Sequence, residues 1–265
     1  PLGLRLSLTA YISDPLVNIV IMLLIVIGGI GFLTWDDVCT HRLHLRRYRM
    51  QSKVILSATI ILIALPALIF FLTDFAELPT GERVLASLFQ AVTPRTAGYN
   101  TADLAKMSDT SQAVTILLML TGGAPGSTAG GVKTVTVAVL FLAAIASMRN
   151  DEDINLFGRR LEEDMPKKAL SVAAFSLTLI VIGVTAICGI QPELDPTDVV
   201  FEAVSAINTV GMTTGITRDL NSISRIIIML MMYCGRVGSV SFALIFTNTK
   251  RYSGVRNPEE TISVG

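Results

Sequence analysis

Long apolar runs separated by short polar stretches constrain the fold of this chain more than any other feature of its sequence. A membrane-spanning helix needs about 20 predominantly apolar residues. Runs near or above that length cover residues 15–33, 53–73, 110–148, 168–190 and 222–248. Hydrophobic residues make up 51% of the 265 positions and charged residues only 16%, whereas a soluble domain is about a quarter charged. We therefore predict an all-α integral membrane protein, with residues 15–33 as one spanning helix.

The third apolar run is too long for a single span. As one helix, residues 110–148 would measure about 58 Å, against about 30 Å of hydrocarbon. The middle of the run reads Gly-Gly-Ala-Pro-Gly-Ser-Thr-Ala-Gly-Gly from Gly122 to Gly131, which is a poor helix sequence. We predict that the helix breaks here, near the middle of the membrane. Unwound backbone at that depth is tolerated only where it is buried in protein or faces water.

Two short amphipathic segments lie between the apolar runs, and each is followed by a Thr-x-Gly turn. One segment extends from Thr80 to about Val92 and the other from Asp195 to about Ile207, so neither can cross a membrane. We predict that Thr80 and Asp195 are N-caps, with Pro196 at the first helical position. The turns that follow comprise Thr96, Ala97, Gly98 and Tyr99 in the first case and Thr209, Val210, Gly211 and Met212 in the second.

These segments belong to an internal repeat of span, short helix, turn and span. The short helices share the sequence Phe-x-Ala-Val, beginning at Phe89 and at Phe201. We predict three parts: the last helix of a preceding repeat with a basic loop in residues 1–52, one repeat in residues 53–150, and a second repeat with a tail in residues 151–265. The fold would thus hold two complete helix–pore loop–helix units, as in potassium channels, plus one preceding helix.

The charge distribution predicts the orientation in the membrane. Lys and Arg concentrate in residues 34–53, 149–168 and 250–256, whereas acidic residues dominate around the two short helices. The positive-inside rule places the three basic stretches and the C-terminus in the cytoplasm. Both Thr-x-Gly turns then enter the membrane from outside. The net charge is zero, which gives no indication of a nucleic-acid partner.

A short re-entrant helix followed by a glycine turn is how cation-selective pores build a filter of backbone carbonyls. A single Thr-x-Gly is unspecific, but two copies at the same place in a repeat favour this interpretation. We expect Gly98 and Gly211 to hold backbone conformations that a β-carbon disfavours.

The glycine-rich break allows two interpretations. One is a packing kink of small residues between helices, and the other is a mobile gate that lines a pore. A nucleotide-binding loop fits poorly, because Val132 separates Gly131 from Lys133 and no strand precedes the motif. The candidate gate residues are Gly122, Gly123, Gly126, Ser127, Thr128, Gly130, Gly131 and Lys133.

Arg236 lies fourteen residues into the last apolar run, which begins near Ser222. A charge near mid-membrane is costly and usually faces protein or water. It is either half of a buried structural ion pair or a pore-facing charge that belongs to the gate. Glu202 and carbonyls of the broken helix are its candidate partners.

Several motifs together resemble the Trk/Ktr/HKT superfamily of potassium transporters, and most of all the membrane subunits of the bacterial Trk/Ktr type. They are T-P-R-T-A-G-Y-N, G-G-A-P-G-S-T-A-G-G-V-K-T, N-T-V-G-M and G-R-V-G, within two span–loop–span repeats. The resemblance covers nearly the whole chain. It implies a four-repeat pore of which this chain is the C-terminal half, so the chain alone should not conduct ions.

The resemblance also implies roles. Residues 96–99 and 209–212 would supply half of a selectivity filter for K⁺, residues 122–133 a gating loop, and Arg236 a charge in the pore. K⁺ would be the transported ion, with Na⁺ as a second candidate, and there would be no cofactor and no enzymatic activity. The protein would be a multi-pass plasma membrane homodimer in contact with lipid, regulated by a cytosolic ring of nucleotide-binding subunits.

Two other classes remain open on the sequence. A secondary cation-coupled carrier with broken helices is the stronger of them, although that class favours inverted repeats and these two repeats have the same orientation. A membrane-embedded NTPase is the other. The motifs leave open the preference for K⁺ over Na⁺, coupling to Na⁺ or H⁺, and the identity of the regulatory subunit.

Overall fold

The computed structural model describes residues 8–237, except Leu43 and Glu152. The described residues are mainly helical, as predicted. The helices are α1 (Pro15–Gly29), α2 (Phe32–His41), α3 (Met50–Leu72), α4 (Thr80–Val92), α5 (Asp109–Met119), α6 (Thr134–Arg149), α7 (Met165–Ile190), α8 (Pro196–Ile207) and α9 (Ser222–Val237). The predicted continuation of the last span to residue 248 and the basic stretch at 250–256 lie outside the described residues.

Helices α3 and α7 are each long and apolar enough to cross a membrane. Helices α1 and α2 together meet the same test as a bent pair, and α6 is a shorter apolar helix. The two long helices correspond to the predicted spans at 53–73 and 168–190.

The prediction of one straight helix over residues 15–33 is wrong. Helix α1 ends at Gly29, and α2 starts at Phe32 at an angle of 97° to it. Gly31 makes the corner with φ of +81°, and a β-carbon there would lie 2.6 Å from the carbonyl oxygen of Pro125. The apolar pattern continues across this corner, so hydropathy alone cannot reveal it. Helix α2 also makes the first part of the predicted basic stretch helical.

The two short helices have the predicted lengths. Asp195 caps α8 by accepting the backbone N–H of Thr197 at 2.7 Å, and Pro196 is the first helical residue. The prediction for Thr80 is wrong, because Thr80 already lies inside α4 and Pro79 precedes it without a side-chain cap. Helix α4 packs mainly on α3, and α8 packs on α7 and α9.

The third apolar run breaks as predicted, since α5 ends at Met119 and α6 begins only at Thr134. The polar stretch after α6 contains a hairpin that the sequence analysis did not predict. Its strands, β1 (Asn155–Leu156) and β2 (Arg159–Arg160), pair antiparallel across a turn in which Phe157 and Gly158 have φ of +52° and +73°.

The main hydrophobic core surrounds α8. Seven of its eight buried residues are Val199, Phe201, Ala203, Val204, Ala206, Ile207 and the polar Ser205. Side chains from α3, α4, α5, α7 and α9 pack around them in one cluster. A helix buried on all sides gives the turn that follows it a fixed position.

Asp74, just beyond α3, ties that helix to the start of α5. Its carboxylate accepts the backbone N–H of Ser108 at 2.6 Å, the hydroxyl of Thr73 at 2.8 Å and the hydroxyl of Ser111. Partial burial raises the pKa of this carboxyl, but the hydrogen bonds outweigh burial and hold the pKa below its ordinary value.

We predict that Asp74→Asn lowers the free energy of unfolding by about 1 kcal/mol at neutral pH, because it weakens several hydrogen bonds to a charged acceptor. A lowered folded-state pKa means that this contribution is present above the ordinary pKa and is lost as the pH falls through the lowered one. In detergent, the variant should therefore unfold at a lower temperature than wild type at neutral pH, and the difference in unfolding temperature should shrink as the pH falls. Asp109→Asn, at the start of α5, is the control. An Asp74→Asn protein as stable as wild type at neutral pH would contradict the prediction.

Candidate functional site

The two Thr-x-Gly turns share left-handed φ values at the threonine and at the glycine. Thr96 and Gly98 have φ of +64° and +75°, and Thr209 and Gly211 have φ of +54° and +85°. Left-handed backbone is unusual for any residue with a β-carbon and is an outlier for a β-branched one such as Thr. Strained backbone of this kind clusters at binding and catalytic sites. The sequence predicted the unusual glycines but gave no signal for the threonines.

Each turn is held by bonds to the helix that precedes it. In the first, Ala97 N–H donates to the Thr93 carbonyl at 3.1 Å, and the Thr93 hydroxyl donates to the Tyr99 carbonyl at 2.5 Å. In the second, Val210 N–H donates to the Ser205 carbonyl at 2.9 Å. Both turns donate an N–H to a carbonyl at the end of the preceding helix, that of Thr93 just beyond α4 or of Ser205 in α8, so the helix ends set the path of both turns.

The two turns touch each other. A β-carbon on Gly98 would lie against the carbonyl oxygen of Val210, with the carbonyl carbon of Gly211 at 3.3 Å. Position 98 thus requires glycine for two reasons: its φ is positive, and the second turn leaves no room for a β-carbon. Gly211 needs glycine for its φ alone, because a β-carbon there would meet no atom within 4 Å.

Arg95, immediately before the first turn, is a site residue that the sequence analysis missed. Its side chain is only 5% exposed, and its Nη2 donates to the hydroxyl of Thr59 on α3 at 3.1 Å. This bond fixes the first turn to the neighbouring span. The available signal was an arginine in a segment predicted to enter the membrane.

The glycine-rich loop between α5 and α6 pairs much of its own backbone. Gly122 N–H donates to the Val132 carbonyl at 2.8 Å, and the Thr134 hydroxyl donates back to the Gly122 carbonyl at 2.6 Å. Lys133 Nζ donates to the Ala129 carbonyl at 2.7 Å. The backbone N–H of Thr134 reaches the Gly123 carbonyl, and the Ser127 hydroxyl accepts the backbone N–H of Ala129.

The same loop lies directly against the second turn. Val132 N–H donates to the side-chain oxygen of Asn208 at 3.3 Å. A β-carbon on Gly131 would lie 2.7 Å from that oxygen, and one on Gly130 would overlap the Thr209 side chain. Glycine at these two places lets the loop approach the turn.

The other side of the loop contacts the α1–α2 corner. Ala124 N–H donates to the Gly29 carbonyl at 2.9 Å, and the Thr128 hydroxyl donates to the Gly28 carbonyl at 3.3 Å. In return, Phe32 N–H donates to the Gly126 carbonyl at 3.1 Å. The loop therefore joins the corner to the second turn.

Arg236 contacts the loop and not Glu202. Its Nη1 lies 3.4 Å from the Thr128 carbonyl, to which it donates. The carboxylate of Glu202 instead accepts the hydroxyl of Thr217, and no ion pair joins Glu202 to Arg236 within the part of the chain that the structure describes. Of the two predicted partners, the carbonyl of the broken helix is therefore the one observed.

Two cavities border the predicted site residues. One, of about 510 Å³, is lined by Thr96, Ala97 and Tyr99 together with Thr128 and Ala129 of the loop. The other, of about 740 Å³, is lined by Thr209, Val210, Gly211, Met212 and Arg236, among others. The structure thus brings the two turns, the loop and Arg236 to one place. Gly126 lies at the exposed edge of this cluster.

Comparison with known proteins agrees with this arrangement. The TrkH family, described as cation transport proteins, matches residues 4–253. The chain belongs to the TrkH family. The crystal structure of the potassium transporter TrkH from Vibrio parahaemolyticus matches 91% of this chain and 54% of that one, with a TM-score of 0.78 at 16% identity. This TrkH likeness shows the all-α membrane fold.

Curated TrkH relatives are also transport proteins and not enzymes. The Ktr system potassium uptake protein B of Bacillus subtilis is 34% identical over 98% of this chain. The potassium/sodium uptake protein NtpJ of Enterococcus hirae is 33% identical over 98% of the chain. The chain spans 59% of the length of each of these relatives.

We predict that Gly131→Ala destabilises the protein more than Gly126→Ala. Both glycines have left-handed φ, +62° and +70°, and alanine in that conformation costs about 1–2 kcal/mol. Only at Gly131 does the added β-carbon meet Asn208, whereas at Gly126 it meets nothing within 4 Å. Thermal unfolding of the purified variants measures the difference. Equal losses would mean that close packing of the loop on Asn208 contributes nothing to stability.

Proposed function

We propose that this chain forms half of a potassium-translocating pore, in which backbone carbonyls of residues 96–99 and 209–212 bind dehydrated K⁺. The observation that carries the proposal is the contact between two turns that both hold a threonine and a glycine at positive φ, with Gly98 against Val210. Carbonyl oxygens held in place can replace the hydration shell of a cation.

The short helices support cation binding at the turns. Helices α4 and α8 each end at their turn, and the C-terminal end of a helix carries a partial negative charge. The relatives named as potassium or potassium/sodium uptake proteins also support K⁺ as the cargo, with Na⁺ as a second transported ion.

The glycine-rich loop is our proposed gate. It lies between the second turn and the α1–α2 corner and forms hydrogen bonds with Asn208 on one side and with the corner on the other. A segment of a folded protein can open locally while the rest of the fold stays intact, and opening here would break the bonds of the loop to Asn208 and to the corner. Lys133 and Arg236, which donate to the Ala129 and Thr128 carbonyls, would hold the closed form.

The charge distribution and the names of the relatives support proposals for the membrane, the orientation and the partners of the pore. We propose a homodimer in the plasma membrane with its C-terminus in the cytoplasm. The Ktr system names of two relatives support a cytosolic nucleotide-binding regulatory ring as partner. Transport itself would need no cofactor.

Gly211→Ser tests the filter. We predict that this substitution in the complete transporter lowers the preference for K⁺ over Na⁺ or abolishes uptake, because serine disfavours the φ of +85°. No neighbouring atom lies within 4 Å of the new β-carbon, so the effect reports backbone conformation and not a clash. Gly189→Ser, in a helix and with equal free space, is the matched control. Wild-type uptake and selectivity in Gly211→Ser would refute the filter assignment.

Arg236→Gln tests the gate. We predict that it increases K⁺ flux per folded molecule, because it removes a positive charge beside the ion path and weakens the bond to Thr128. Arg225→Gln, on the same helix but bonded to the Arg218 carbonyl, should leave flux unchanged. If Arg236 serves only to stabilise the structure, its neutralisation will reduce the amount of folded protein and will not raise flux.

A further inference from the structure

One buried polar side chain lies near the end of each short helix, at matching places in the two halves of the chain. Gln90 and Glu202 occupy the variable position of the Phe-x-Ala-Val sequence that α4 and α8 share. They are only 1% and 7% exposed. The two side chains have nearly the same size and shape, so the main difference between them is the charge of the carboxylate.

The two side chains also form hydrogen bonds to different parts of the structure. Gln90 donates to the hydroxyl of Thr115 on α5 at 3.3 Å. Glu202 accepts the hydroxyl of Thr217, which in turn lies 2.9 Å from the hydroxyl of Thr213. Thr213 and Thr217 belong to the segment that immediately follows the second turn, so Glu202 connects α8 to that segment.

No cationic side chain in the part of the chain that the structure describes pairs with the carboxylate of Glu202. Its Oε2 is buried without a hydrogen bond, and its carboxylate forms no ion pair with the described residues. Asp198, one turn earlier on α8, adds further negative charge. Arg218 and Arg236 line the same cavity as Glu202 and the second turn, but neither pairs with it. A buried carboxylate is costly unless a cation compensates it.

A cation bound at the second turn would supply that compensation. Glu202 and residues 209–212 line one cavity, and Coulomb attraction between a carboxylate and a monovalent cation remains substantial over about 10 Å in a medium of low dielectric constant. We propose that Glu202 contributes to cation affinity, because its carboxylate strengthens binding of a dehydrated monovalent cation at the second turn. Gln90, at the matching position of α4, carries no charge. This inference rests on the proposed function.

The test exchanges the two side chains in the complete transporter. Glu202→Gln keeps the volume and an acceptor for Thr217 but removes the charge. We expect it to weaken K⁺ binding to the purified protein about tenfold, with a parallel rise in the K⁺ concentration for half-maximal uptake and no change in the yield of folded protein. Adding Gln90→Glu should restore most of the lost affinity, because the two turns touch and a charge acts through space on both.

Thr217→Val tests whether Glu202 acts through its charge or through its hydrogen bond to Thr217. It removes the hydroxyl that Glu202 binds and leaves the carboxylate, so we expect K⁺ affinity close to wild type. If the Thr217→Val protein binds K⁺ as weakly as the Glu202→Gln protein, the proposal is overturned, because Glu202 would then act through its hydrogen bond to Thr217 and not through its charge. Unchanged affinity in Glu202→Gln, loss of its folded form, or no recovery in the double variant would also overturn it. A wild-type protein that neither binds nor transports K⁺ would instead refute the proposed function.

Discussion

The requirement that every backbone polar group within a membrane find a partner governs this structure. Hydrocarbon offers no hydrogen bonds, so unwound backbone at membrane depth must be paired by the protein or by water in a cavity. The glycine-rich loop meets the requirement in three ways: by pairing with itself, with Asn208 and with the α1–α2 corner. The corner exists in turn because Gly31 adopts a positive φ against Pro125. The break in one apolar run therefore accounts for the bend in another.

Backbone strain is concentrated where the proposed ion path lies. Thr96 and Thr209 adopt the left-handed conformation, and the hydroxyl of Thr209 is buried without a hydrogen bond among the described residues. Such strain persists only where the surroundings over-determine the conformation. The buried helix α8 and the bonds from α4 provide that support.

Much of the architecture could be predicted from the sequence, because hydropathy and caps are local signals. Apolar length predicted α3 and α7, and Asp195 with Pro196 marked the start of α8. Five glycines and a proline in ten residues predicted the break between α5 and α6. The turns were visible because the Thr-x-Gly pattern recurs at the same place in each repeat.

What the sequence could not predict depends on contacts between distant segments. The corner at Gly31 lies inside a continuous apolar run, and only the approach of Pro125 explains it. For Arg236 the sequence left two partners open, and only the structure selects the Thr128 carbonyl over Glu202. Arg95 and Thr59 are likewise far apart in the sequence. The roles assigned to the filter and gate residues stay predictions, which the variants described above can test.

The α1–α2 corner also bears on how the protein is assembled. Its bonds to the loop join Gly28 to Thr128, one hundred positions further along the chain. The groups of the loop that bond the corner therefore have no protein partner there until both segments are in the bilayer. Contacts of such long range form late, because a large loop of chain must close first. During synthesis, the glycine-rich loop must therefore wait in contact with water, or with another protein, before it settles between the corner and the second turn.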